Sequence, residues 1–294
     1  MRIRATVAAV TGALALSALV VPAAAQADGT HGAGPTAIPR SVFQHAAPSG
    51  AKVRTALVAG DPKISSVTVN GGKDIVLGTT AAKTITATLT ASDDSGIQDA
   101  IVYLWHGANV DSVDGYLGPI VGDDTAQIAK CTAASATTST CKVTFKVNPR
   151  SQNDLYKNSL AGTWKVAVAA LAKDGGSTEN EAYKSQHVQR ASTQSVNAAP
   201  EPVKKGKTIT VTGKLARANW ETYKYAGYTG QPVKLQFRKK NSNAYTTVKT
   251  VKTNSTGNLK TTVKAVEDGY WRYNYAGTTT TPAVVATGDF VDVK

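Results

Sequence analysis

The chain has 294 residues, only two cysteines and a net charge of +13. That length holds two ordinary domains, and two cysteines fall short of a zinc site or a disulfide-dense scaffold. Arg2 and Arg4, an apolar run and the small residues up to Ala27 have the parts of a secretory signal peptide. Thr11, Gly12, Ser17 and Pro22 interrupt that run, which argues against a membrane anchor. Once residues 1–27 are removed, no later stretch is apolar enough to span a bilayer.

Residues 28–62 are rich in Gly, Ala and Pro, show no period and read as a mobile leader. From Lys63 the pattern turns to period two, the sign of half-buried strands. In KTITATLTA, Ile85, Ala87 and Leu89 point one way and Thr84, Thr86, Thr88 and Thr90 the other. IQDAIVYLWHG places Ile101, Tyr103 and Trp105 on one face. CKVTFKVN turns Val143, Phe145 and Val147 inward, and GTWKVAVAALA does the same with Trp164, Val166, Val168 and Ala170. Turn-forming residues separate these runs at sandwich spacing. CTAASATTSTC brings Cys131 and Cys141 to the two ends of a short hairpin, and an exported chain oxidises such a pair to one disulfide.

Pro200 and Pro202 mark a stiff connection to a second set of strands. KTITVTGKL turns Ile209, Val211 and Leu215 inward. GQPVKLQFRKK turns Val233, Leu235 and Phe237 inward and Lys234, Gln236 and Arg238 outward. In DGYWRYNYAG, alternation puts Trp271, Tyr273 and Tyr275 on the core face and Tyr270, Arg272 and Asn274 outside. A Tyr hydroxyl in such a strand is expected to secure the turn before it. No stretch keeps a helical period. The fold class is therefore all-β: two tandem sandwiches, 63–190 and 191–294, behind the signal peptide and leader.

Residues 204–294, with KKGKTITVTGKL, GQPVKLQFRKK, TNSTG, DGYWRYNYAGT and GDFVDVK, resemble a bacterial immunoglobulin-like domain. TASDDSGIQDAIVYLWHG with GTWKVAVAALAKDG is similar to another such unit. From Lys63 onward the chain resembles small secreted streptomycete proteins that pair these two units. The resemblance implies immunoglobulin-like folds and a secreted, extracellular protein without a defined activity, with calcium binding loosely attached to some members.

The charge is uneven. Residues 63–190 hold 12 basic and 12 acidic residues, whereas residues 191–294 hold 16 basic and 6 acidic, net +10. A basic secreted domain suits a cell-wall polymer or another anionic extracellular polymer. Nothing points to sequence-specific nucleic-acid binding. The candidate contacts are aromatic and basic: Arg217, Trp220, Tyr223, Lys224, Tyr225 and Tyr228 in a loop between strands, and Tyr270 with Arg272 on the outer face of their strand. Trp and Tyr offer stacking surfaces and hydroxyls, and the cations hold an anion.

The alternative is calcium, which takes six to eight oxygens. Asp93, Asp94, Asp111, Asp114, Asp123 and Asp124 occupy loops of the first unit and could supply some of them. NVDSVDG does not keep the Asp-x-Asp-x-Asp-Gly spacing of a helix–loop–helix site. The histidines His31, His45, His106 and His187 fall in no catalytic motif. A hydrolase is the remote alternative, with no catalytic residue to assign and no cofactor other than calcium to expect.

Overall fold

A computed structural model describes residues 60–119 and 128–294. The signal peptide, most of the leader, Asp123 and Asp124 lie outside the described residues. The described strands are β1 (Lys63–Val69), β2 (Ile75–Leu77), β3 (Lys83–Ser92), β4 (Ile97–Asn109), β5 (Ser112–Leu117), β6 (Lys130–Ala133), β7 (Thr138–Val147), β8 (Gly162–Ala172) and β9 (Ser177–Arg190) in the first half. The second half holds β10 (Ser192–Gln194), β11 (Asn197–Ala199), β12 (Thr208–Asn219), β13 (Lys224–Gly227), β14 (Pro232–Lys239), β15 (Thr246–Lys252), β16 (Asn258–Lys264), β17 (Gly269–Tyr275), β18 (Val284–Val285) and β19 (Asp289–Val291). Among the described residues, no helix is long and apolar enough to cross a membrane.

The first half packs a β1-β3-β7-β6 sheet against a β2-β9-β8-β4-β5 sheet. These are the A-B-E-D and G-F-C-C′ orders of an immunoglobulin sandwich, with β2 added parallel to β9. The second half packs β10, β11, β12, β13 and β16 against β15-β14-β17 with β18 and β19. It has the A-B-E and C′-C-F-G arrangement. The chain is thus a tandem immunoglobulin-like β-sandwich protein.

Alternation builds both cores. Ile85, Ala87, Leu89, Val143, Phe145, Val147, Trp164, Val166 and Val168 fill the first, and Ile209, Val211, Leu235, Trp271, Tyr273 and Tyr275 fill the second. In strand β4 the structure decides which face meets the core. Ala100, Val102 and Leu104 face the opposite sheet, while Ile101, Tyr103 and Trp105 face away from it. That outer face is nevertheless buried, in a separate cluster with Val113, Ala167 and Ala169. Asp99 pins part of its cover: its carboxylate accepts the N–H groups of Ile128 and Ala129 at 3.1 and 2.9 Å. Trp105 donates its indole N–H to the Glu181 carbonyl at 2.6 Å.

Cys131 and Cys141 are directly opposed on β6 and β7 and form a disulfide. The Tyr hydroxyl of β17 acts differently from expectation. Tyr273 reaches across the core to the Val211 carbonyl at 3.0 Å, tying the two sheets together instead of securing its own turn.

The connection is not an exposed linker. Only Ala191 separates β9 from β10, and β10 and β11 both pair with β12. Arg190 donates to the Ala218 carbonyl, Ala191 N–H to the Leu77 carbonyl and Ala218 N–H to the Ala191 carbonyl. Burial, and next the neighbouring Arg217, push the Arg190 guanidinium down to about 10.

Candidate functional site

The outward face of the β14–β17 pair follows from its register. Lys234, Gln236 and Arg238 stand opposite Asn274, Arg272 and Tyr270, and Tyr270 stands opposite Phe290 on β19. Tyr245, just before β15, crosses this face until its hydroxyl reaches Gly288. A Cβ at Gly288 would collide with that hydroxyl, so the close approach requires glycine there.

The result is a stack of alternating cations and rings. The Arg272 guanidinium lies 3.6 Å from the Tyr245 ring centroid, and the Arg238 guanidinium lies 5.4 Å from the same ring. Arg238 lies 3.7 Å from the Tyr270 ring, Tyr270 packs on Phe290 at 5.1 Å, and Lys240 sits 5.4 Å from Phe290. Cation–π contacts of this kind favour a fixed guanidinium over a swinging one. Polar bonds reinforce them: Arg272 Nε donates to Gln236 Oε1 at 2.9 Å, and Arg238 donates to the Ser242 carbonyl at 2.8 Å.

The carboxylates of Glu267 and Asp268, at one end of this face, are engaged. Lys239 pairs with Glu267 at 3.1 Å and Lys240 with Asp268 at 3.4 Å. The Val293 N–H, with further help from Lys240, holds the Asp268 carboxyl below its usual range. Among the described residues, Lys234, Arg238 and Arg272 have no carboxylate within ion-pair distance.

The sequence-derived contact residues divide between two places. Tyr270 and Arg272 belong to the stack. The other six sit on the opposite sheet, where ARANWETYKYAG forms a hairpin of β12 and β13 and not a free loop. Trp220 cannot meet a ligand there. It is 0% exposed, packed with the core of the first sandwich, and its indole N–H donates to the Gly78 carbonyl at 3.0 Å. Asn158 holds the hairpin further, accepting the Trp220 N–H and donating to Asn219 Oδ1.

Tyr223 and Tyr225 are exposed beside Lys224, and Arg150 of the first sandwich approaches the Tyr223 ring. Arg217 lies 3.8 Å from the Tyr228 ring and donates to Thr281 Oγ1 at 3.1 Å. Burial opposes ionisation of Tyr228, but the Thr278 hydroxyl and Arg217 outweigh it and lower its pKa.

Arg238, Tyr245, Phe290 and Gly288 were not singled out in the sequence. Arg238 carries the one usable signal, its outward alternation with Lys234 and Gln236. Tyr245 sits in a turn with no period, and only the fold brings it over β17.

The acidic residues do not converge. Asp93 and Asp94 precede β4, whereas Asp111 and Asp114 follow it. Thirteen residues of extended strand separate the two pairs by on the order of 40 Å. Asp114 is engaged by His106 and Lys157, the latter at 2.9 Å. Asp93 and Asp94 instead meet Asp174, with carboxylate oxygens within 4.8 Å of one another. Asp93 accepts Ser95 Oγ at 2.6 Å, and Asp174 accepts the Gly176 N–H at 3.0 Å, so both serve their own turns.

A family described as a family of unknown function (DUF5707) matches residues 77–170. No curated protein matches the chain. Among solved structures, the D00–D0 domain of intimin is 16% identical, covering 77% of this chain and 99% of that one, with a TM-score of 0.24. Dpr2 Ig1–Ig2, in complex with DIP-Theta Ig1–Ig3, is 12% identical, covering 80% and 99%, with a TM-score of 0.26. The strand order, not these likenesses, establishes the fold.

Proposed function

We propose that the chain is a secreted, non-catalytic binding or spacer protein that associates with an anionic polymer of the cell envelope through its second sandwich. The carrying observation is the row of Lys234, Arg238 and Arg272 on the outward face of β14 and β17, none of which has a carboxylate within ion-pair distance among the described residues. A basic face without internal compensation raises the local concentration of polyanions. The signal-peptide pattern and the disulfide support export.

The test is sedimentation with washed cell walls across a salt series, with and without chelator. Binding that weakens steeply with salt and ignores chelator is the expected result, because counterion release drives polyanion contacts. Release by chelator at constant salt would favour the calcium alternative, with Asp93, Asp94 and Asp174 as its ligands. No binding at any salt would refute the polymer reading.

A further inference from the structure

We infer that the Arg272–Tyr245–Arg238–Tyr270 stack is itself the contact surface, and that its ligand is a linear phosphodiester-type polymer of the cell envelope. The inference rests on the polymer-binding reading of the second sandwich and adds the face and the charge chemistry.

The first argument is preorganisation. A free arginine loses rotamer freedom when it grips an anion, which weakens binding. Here the rings, Gln236 and Ser242 hold both guanidinium groups before any ligand arrives. The second is unspent donor capacity. Arg272 uses Nε within the protein, and Arg238 uses one terminal nitrogen. Among the described residues, the two terminal nitrogens of Arg272 and the Nε and other terminal nitrogen of Arg238 have no protein acceptor. Guanidinium N–H pairs of this kind match phosphate oxygens two at a time.

The third argument concerns what the face lacks. A guanidinium lies against each of the Tyr245 and Tyr270 rings, which takes up a ring face that a neutral sugar or a nucleobase would need for stacking. The fourth is extent. Arg272 and Arg238 approach the same ring and so lie within about 9 Å of each other. Lys234 continues the row along β14, with outward positions stepping by roughly 7 Å. A row of cations, with its two arginines fixed, suits repeated charges on one chain better than a single anion.

The test measures binding of long-chain inorganic polyphosphate to the full mature chain across a salt series. Arg272→Gln and Arg238→Gln are compared with Lys260→Gln and Lys264→Gln, which carry the same charge change on the outer face of β16. Each arginine variant is expected to weaken binding about five-fold or more and to lower the salt slope by about 0.7–1. Each lysine variant should change binding less than two-fold. Arg272→Lys keeps the charge but loses the planar fork, so it should weaken binding with little change in slope.

Equal losses on both faces, with wall binding intact, would overturn the assignment of this face while leaving the polymer reading standing. Orthophosphate binding as tightly as polyphosphate, or polyglutamate binding more tightly at equal charge, would overturn the ligand class. Should either glutamine variant shift the thermal midpoint by more than a few degrees, Arg272→Lys decides the matter alone: unchanged affinity would refute a role for the stacked fork.

Discussion

Replacing Trp220 by alanine is expected to destabilise the whole protein, although Trp220 belongs to the second sandwich. The indole is 0% exposed and packs with the core of the first sandwich. Truncating a buried Trp costs about 3–5 kcal/mol through lost transfer energy and the cavity left behind. The Gly78 carbonyl also loses its 3.0 Å partner, which adds about 1–3 kcal/mol if water cannot reach it. The combined loss is a large part of the 5–15 kcal/mol that holds an ordinary domain folded. Equilibrium denaturation of the full chain, beside Val248→Ala as an exposed control, measures it. Val248 is 45% exposed, so the control should stay within about 0.5 kcal/mol. A Trp220→Ala loss no larger than the control's would refute the reasoning, because Trp220 could not then be holding the joint.

Tyr273→Phe should cost about 1–2 kcal/mol in a denaturant melt, because the Val211 carbonyl loses a buried donor while the ring stays in place; a neutral result would mean that the cross-core bond contributes nothing. Removing the Cys131–Cys141 bond by a double serine substitution should lower stability by about 2–3 kcal/mol, and thiol titration of the unreduced, denatured protein should find no free sulfhydryl. Burial resists ionisation of Asp114, but hydrogen bonds from His106 and Lys157 prevail and depress its pKa. A depressed acid stabilises the fold above its unfolded pKa of about 3.9, and that contribution fades as pH falls through the folded value. Stability should therefore drop below about pH 4, and Asp114→Asn should flatten that slope; an unaltered acid profile would show that the pair carries no linkage. Millimolar calcium is expected to leave the thermal midpoint unchanged, because Asp93 and Asp174 are committed to their own turns. A rise abolished by Asp93→Asn would assign calcium to that cluster.

The inner faces were legible wherever one face of a strand is polar. KTITATLTA and KVTFKV set Thr and Lys against apolar residues, so the alternation admits one orientation. DGYWRYNYAG worked for the same reason, with Arg272 and Asn274 marking the outside. The sequence leaves strand β4 open because DAIVYLW is apolar on both faces. Period two separates its faces but cannot say which meets the opposite sheet, and the outer one is closed by a cluster of its own. The acidic residues misled because nearness in sequence across β4 is distance in space once thirteen residues extend. Trp220 misled for a third reason. An aromatic hairpin at the end of a sandwich looks alike whether it meets solvent or a neighbouring domain, and only the placement of Gly78 and Asn158 decides.

The buried joint bears on how the cationic stack can work. A flexible linker would let the two sandwiches reorient, and the entropy lost on binding would grow with that freedom. Here Trp220, Arg190 and Asn158 fasten the β12–β13 hairpin to the first sandwich. That hairpin belongs to the sheet opposite the stack, so the joint leaves Arg238 and Arg272 facing away from it. On the proposed reading, a fastened pair with this basic face turned outward would suit attachment to an extended polymer, with the first sandwich as a spacer. It also separates the two aromatic clusters by role. Trp220 contributes to stability through the joint, while Tyr245 and Tyr270 hold arginines ready on the free face. Substitutions at the joint should therefore lower the melting midpoint before they alter the salt slope of binding, and substitutions in the stack should do the reverse.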